Sequence, residues 1–290
     1  MRSTLRHAVL ALTAASIAAL GALSVPAASA AARASHTEYG PPVRLGAGTA
    51  RTYLVSEGST PLEIGVVVDA AATESLPASP PTDGHHCYDV NGDGRINPVT
   101  ECAGGYYLPL HLPSDAPAPY RWVLLNWNPS GHGPVGMYDT PHFDMHFYVV
   151  PRSAVDAIGY GTCGQLVACD QVPEVAAPLP AKYVPSGYPP ALKQTVEVAM
   201  GDHLDNDAGF KNGATFVYGS LDGRIAFLEP MIQRDALRQT PAGGPRQCQP
   251  VAQPAAWQRS GWYPTSYCLG QTADGGYQVS LDGLVRRHRS

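Results

Sequence analysis

Pro141-His142-Phe143-Asp144-Met145-His146-Phe147-Tyr148-Val149-Val150 is the stretch that decides the fold class. Along a β-strand successive side chains point to opposite faces, so the run sorts into two stripes. Phe143, Met145, Phe147 and Val149 form an apolar stripe that must be buried. His142, Asp144, His146 and Tyr148 form the other. The run therefore reads as a strand with a row of ionisable groups on its second face.

Working outward, short runs of β-branched and aromatic residues recur at 52–56, 62–68, 122–127, 215–218 and 225–228, and the decisive strand covers 143–150. Long 3.6-period apolar patterns are missing, and the 28 prolines and 30 glycines are spread throughout. The expected fold is mainly β, a sandwich or barrel with a cupin-like cup as one version, plus a few short helices; α+β is the alternative. Residues 215–228 read as a hairpin with Asp222-Gly223 at its tip. Short helices are expected at 152–158, 190–198 and 233–239, and a late strand at 277–284.

The first thirty residues read as a secretory signal peptide. Arg2 and Arg6 supply a positive start, an apolar stretch runs from Ala8 to Val25, and Ala28-Ser29-Ala30 offers a small-x-small cleavage pattern. Removing them takes away two arginines and no acid, which moves the formal charge from −5 to −7. An acidic chain with three lysines is a poor partner for nucleic acid. No later segment is long and apolar enough to read as a membrane helix. The organisation expected is a signal peptide at 1–30, a β-rich core at 31–240 with an insertion at 72–104, a proline-rich connector at 170–190, and an extension at 241–290.

Six cysteines fall into three near neighbours, Cys87/Cys102, Cys163/Cys169 and Cys248/Cys268. An even count in an exported chain reads as disulfides, with local pairing expected among the fifteen that six cysteines allow. No CxxC pair is present, which argues against a zinc ribbon or a thioredoxin-type site. Cys163, in a Gly-Thr-Cys-Gly context, is expected in a disulfide rather than as a nucleophile.

Inside the insertion, the run from Cys87 to Cys102 follows a calcium-loop pattern. Asp89, Asn91 and Asp93 stand at positions 1, 3 and 5, and Gly94 permits the bend. The Arg95 carbonyl would be the seventh-position ligand, Ile96 the apolar anchor and Asn97 the ninth. The likeness to EF-hand and dockerin loops breaks at position 12, where Thr100 stands and Glu101 comes one place late. The cofactor expected here is structural Ca²⁺.

The histidine strand points to a second cation. Residues two apart on a strand face are ~6.6 Å apart and those four apart ~13 Å. Asp144 can therefore share an ion with His142 or with His146, and both histidines share one only if the strand bends. Further candidate ligands are His132 in the preceding loop, His203 in Gly201-Asp202-His203, and Glu229, a carboxylate on an apolar strand that needs a partner if buried. A set drawn from His132, His142, Asp144, His146, His203 and Glu229 suits zinc, iron or manganese. Asp202, Asp205 and Asp207 form a weaker hard-cation candidate, and His85-His86 read as a solvated loop.

The run from Asn128 to Tyr148, with its Gly-His-x-Pro-x-Gly-x-Tyr-Asp-x-Pro-His-Phe-Asp-x-His-Phe-Tyr pattern, resembles the hallmark of a family of exported bacterial proteins. It is a domain-of-unknown-function family whose founding structure came from a thermophile. Softer likeness extends over 43–70, 201–203, 218–232 and 263–287. The resemblance implies secretion and a shared fold, and carries no activity.

Three functions fit. The first is an extracytoplasmic protein that stores, buffers or senses a metal. The second is a metalloenzyme with an open coordination position. The third is a calcium-stabilised module that binds a cell-wall polymer or carbohydrate through an aromatic platform of Trp122, Trp127, Trp257 or Trp262. Three protein ligands facing a pocket favour the enzyme, and four favour storage. The GxSxG, HExxH and Walker motifs are missing, and no GxGxxG stands before a helix. Homo-oligomerisation is left open.

Overall fold

Alternating strands with one apolar stripe each must pair and then cover that stripe. In the computed structural model, which describes residues 34–81, 86–98, 100–206 and 209–290, they do so as two seven-stranded antiparallel sheets and a two-stranded ribbon. With strands numbered along the chain, the first sheet runs β1 (Ser35–Tyr39), β3 (Gly48–Glu57), β4 (Thr60–Val68), β16 (Tyr277–Asp282), β15 (Ser266–Gln271), β13 (Gln247–Pro250), with β2 (Val43–Leu45) added to β3. The second runs β5 (Tyr106–Leu110), β6 (Trp122–Asn128), β7 (His142–Tyr148), β12 (Arg224–Gln233), β11 (Ala214–Leu221), β10 (Gly201–Leu204), β9 (Val196–Glu197). The ribbon is β14 (Gly261–Tyr263) with β17 (Val285–Arg287), and β8 (Tyr160–Cys163) stands outside these sheets.

Both large sheets are open paths, so the barrel version gives way to two layers, and the α+β alternative to a chain that is mainly β. Between the layers, Leu54, Ile64, Val66, Val279 and Leu281 of the first sheet meet Val123, Leu125, Phe143, Met145, Phe147 and Leu228 of the second in one buried cluster.

A third layer explains why every residue of β6 and β7 is buried on both faces. The outer face of the second sheet is covered by the loop around Tyr138, by α2 (Arg152–Asp156) and α3 (Val172–Val175), and by Val196, Val198 and Met200. The ionisable stripe of β7 thus points into a second interior. There polar groups must be hydrogen-bonded, paired or coordinated.

The hairpin forms as expected, with β11 and β12 joined through Asp222 and Gly223 at φ 50° and 66°. This pair of positive angles is what a primed two-residue turn requires. The expected helices at 152–158 and 233–239 appear as α2 and α4 (Arg234–Gln239), and α1 (Ala70–Glu74) opens the expected insertion. The expected helix at 190–198 does not form: residues Lys193–Thr195 make one 3-10 turn, and the β-branched Val196 enters β9, paired with Asp202 of β10.

Residues after 241, expected as an extension, join the first sheet. They supply β13, β15 and β16 of the first sheet, β16 pairs directly with β4, and Ala34–Ser290 is one compact unit. The three disulfides join Cys87–Cys102, Cys163–Cys169 and Cys248–Cys268, so Cys163 is no free nucleophile. No helix among the described residues is long and apolar enough to cross a membrane. The expected signal segment, His85 and Asp207 lie outside the described residues.

Candidate metal centre

The register of β6 on β7 builds the site. Asn128 pairs with His142, Asn126 with Asp144 and Leu124 with His146. On the other side, β12 pairs with β7 so that Met231 lies opposite Asp144 and Leu228 opposite Phe147, a register that carries Glu229 to the level of His146. His203 comes from β10, opposite Gly219 of β11. A Cβ at Gly219 would fall 2.0 Å from the Phe227 ring, so only glycine leaves room for that ring. Phe227 in turn packs its ring 4.8 Å from His146 and 4.9 Å from His203, centroid to centroid. His132 comes from the loop before β7, where a bridge to Tyr138 folds the chain back.

The six expected ligands are all brought to this face, but as two groups of three rather than one set. His132, His142 and Asp144 form the first, and His146, His203 and Glu229 the second; within each, the ligand atoms lie within 4.8 Å of one another. The split follows from the strand: His142 and His146 are four residues apart on one face of β7 and side with different neighbours.

In the first group, His132 Nε2 lies 3.3 Å from Asp144 Oδ2, and His142 Nε2 lies 3.1 Å from Oδ1. The latter contact is misaligned for a hydrogen bond and leaves both atoms without one. In the second, His146 Nε2 lies 3.2 Å from Glu229 Oε1 and 3.3 Å from His203 Nε2, with His203 Nε2 3.7 Å from Oε2.

Three imidazoles are anchored through their other nitrogen. His132 Nδ1 donates to the Gly133 carbonyl at 2.6 Å, His142 Nδ1 to Thr140 at 2.6 Å, and His203 Nδ1 to Thr195 at 3.2 Å. A carbonyl only accepts, so Nδ1 carries the hydrogen and Nε2 is turned toward the carboxylates as a ligand would be. A lone pair facing a carboxylate oxygen is repulsive until a proton or a metal ion sits between them.

The two groups differ in charge. Burial opposes protonation of His132, but its hydrogen bond to Asp144 and that group's charge prevail and raise it to about 9. Burial likewise opposes ionisation of Asp144, yet the charge of His142 and the hydrogen bond from His132 hold it well below the usual carboxylate range. In the second group burial dominates. It pushes Glu229 well above its ordinary value, helped by Asp144, Glu197 and Asp205, and with the charge of His203 it pushes His146 well below its own.

Both groups open on one cavity of about 250 Å³, lined also by Tyr138, Gln165, Thr195, Glu197, Met200, Asp205 and Met231. Asn128 is a contributor that reading the sequence missed. Its Nδ2 donates to Asp144 Oδ2 at 2.7 Å while its Oδ1 accepts from Gly105 N at 2.5 Å. The signal was two asparagines, 126 and 128, on an otherwise apolar strand.

Other expected sites fare differently. In the 87–102 loop, Asp89 accepts from the amides of Gly92, Asp93 and Gly94, Asn91 from Asp93, and Asp93 from Arg95. Buried Glu101 accepts from Val90, Asn91 and Asn97. Among the described residues the loop's carboxylates form no group of three within ligand reach, so no calcium site is evident. Asp202 accepts from Thr195 and Ser220, whereas Asp205 accepts from the Tyr138 hydroxyl, so these two do not converge. His86, expected in a solvated loop, is buried and stacks on Tyr107. Trp122, Trp127 and Trp257 are buried and Trp262 half-buried, which leaves no exposed tryptophan platform for a polymer.

No protein-family profile matches the chain, and neither a curated protein nor a solved structure does. The buried histidine–carboxylate groups therefore define it only as a disulfide-bonded β protein with candidate metal-binding groups.

Proposed function

We propose that this is an exported metal-binding protein whose β7 face holds a transition metal between imidazole and carboxylate ligands. The observation that carries the reading is the set of buried Nε2 atoms, three of them fixed by Nδ1–carbonyl hydrogen bonds, aimed at carboxylates. Nitrogen and oxygen donors of this kind suit zinc, iron or manganese. Three protein ligands to a group, opening on a cavity, leave a coordination position for water or a substrate. This favours a metalloenzyme over a store, where a fourth protein ligand would close the shell.

Export rests on the signal-like residues 1–30, the resemblance of the 128–148 run, and the disulfides. A structural calcium ion on Asp89, Asn91, Asp93, the Arg95 carbonyl, Asn97 and Glu101 is a separate part of the proposal. It is supported by the ligand spacing and by the disulfide that closes the loop. Calcium added to protein stripped of transition metal should raise the melting temperature, and no change at millimolar calcium removes that ion from the reading.

Elemental analysis of protein purified without an affinity tag tests the main claim. At least one equivalent of zinc, iron or manganese is expected. Protein that arrives metal-free and melts identically with and without chelator refutes it.

A further inference from the structure

We infer that the two histidine–carboxylate groups hold two metal ions at once, and that the cavity they share admits a small neutral polar molecule rather than phosphate or another anion. This rests on the metal-binding reading and deepens it.

The two groups have no side chain in common, and the described residues form no larger group that merges them. Each is complete in the same way, with two imidazoles and one buried carboxylate. Each also keeps a carboxylate oxygen without a hydrogen bond, Asp144 Oδ1 in one and Glu229 Oε2 in the other. A buried acceptor left unmade is costly, and native interiors supply it with a partner. A single ion placed in either group leaves the other's oxygen and its facing imidazoles as they were. Asp144 and His146 follow one another on the same face of β7, ~6.6 Å apart along the strand, a spacing that seats two ions side by side.

Charge points the same way. Asp144, Glu197, Asp205 and Glu229 line the cavity, and no lysine or arginine does among the described residues. Two divalent ions balance four carboxylates; one leaves an excess of negative charge in a poorly hydrated space. Once balanced, the cavity has no surplus positive charge to draw in an anion. Its remaining lining offers amide groups from Gln165 and Gln194 beside apolar Met200, Val217 and Met231. At about 250 Å³ it lies below the ~300–1,000 Å³ of pockets for drug-sized ligands, so its occupant is small.

The test is zinc stoichiometry on the intact protein and on His132→Gln and His203→Gln, two ligands that lie outside the central strand β7, with circular dichroism to confirm folding. Two equivalents in the wild type, one in each variant and none in the double variant are expected. One equivalent in the wild type, lost in both single variants, means a shared ion and overturns the inference while leaving the metal-binding reading intact. Two equivalents that survive both substitutions place the metal elsewhere and overturn it. No zinc in the folded wild type defeats the reading as well. For the occupant, cobalt-loaded protein is titrated with imidazole and with inorganic phosphate. Imidazole should change the visible spectrum at millimolar concentration and phosphate should not; the reverse overturns the assignment.

Discussion

His146 Nε2 and His203 Nε2 face each other across 3.3 Å, with Glu229 Oε1 3.2 Å from the first. His203 spends its hydrogen on the Thr195 carbonyl, so its Nε2 presents a lone pair to its neighbour. In the metal-free protein that lone pair accepts from His146 Nε2, and a cation in the gap replaces the one hydrogen bond with two bonds to nitrogen. Saturating Zn²⁺ should therefore stabilise the protein. At a free concentration ~100 times Kd the gain is about 2.7 kcal/mol. For a domain of this size that corresponds to a melting increase of roughly 5–10 °C. Calorimetry with and without Zn²⁺ measures it, and coincident curves would count against a site here.

Replacing Glu229 should move stability and metal affinity in opposite directions. Burial and the nearby carboxylates Asp144, Glu197 and Asp205 make the ionised form of Glu229 unfavourable in the folded protein. Glu229→Gln removes that burden, so the metal-free variant at pH 8 should gain about 1–3 kcal/mol. The same change deletes an anionic ligand and should weaken zinc binding beyond the roughly 10–100-fold typical of supporting residues. A variant that loses stability while keeping wild-type zinc affinity contradicts the assignment.

The histidine strand was legible because a period of two sorts His142, Asp144 and His146 from Phe143, Met145 and Phe147 without knowledge of the partners. The pairing of Glu229 with His146, and of His132 with Asp144, was not. It depends on the register of β12 against β7 and on how the loop before β7 folds back, and neither leaves a local mark. The helix expected at 190–198 failed for a similar reason, since Val196 finds a strand partner in Asp202 that local pattern does not reveal. The third layer over the second sheet was legible only in part: α2, which brings Val155, was expected, whereas Val172 of α3 and Met200 come from short segments whose apolar residues show no period.

Gly219 sets the wall behind the second group. An alanine there would drive its Cβ into the Phe227 ring, which lies against both His146 and His203. Gly219→Ala should cost about 1–3 kcal/mol through overpacking. It should also lower zinc affinity at His146, His203 and Glu229 while sparing the first group. Isothermal titration of the variant reads both sites, and equal losses at the two would refute this local account.

Asn128 does the corresponding work at the first group by holding Asp144 Oδ2. Asn128→Ala leaves the Gly105 amide without a partner and Asp144 Oδ2 with His132 alone, which costs about 1–3 kcal/mol for the unsatisfied buried group. Zinc affinity at His132, His142 and Asp144 should fall roughly 10–100-fold. Retention of full affinity there, in a variant that is measurably destabilised, would limit Asn128 to a structural part.

The metal-free protein should lose stability as pH rises from about 6.5 to 9. His132 is raised to about 9 by Asp144, against 6.5 for an ordinary histidine. A raised value means the folded state holds the proton more tightly. The stabilisation is complete below 6.5 and disappears as pH climbs through 9, with an upper bound of about 3 kcal/mol. Glu229, also held above its ordinary value, works in the same direction, because its ionisation is opposed in the folded state. His146 is shifted the other way, and its effect is confined to pH below 6.5, outside this window. A bound metal replaces these protons, so its stabilising effect should grow with pH across the interval. Denaturant melts of stripped and zinc-loaded protein at pH 6.5, 7.5 and 9 measure the difference. A gap between the two forms that narrows with rising pH would show that His132 and Asp144 are not an ion pair awaiting a metal.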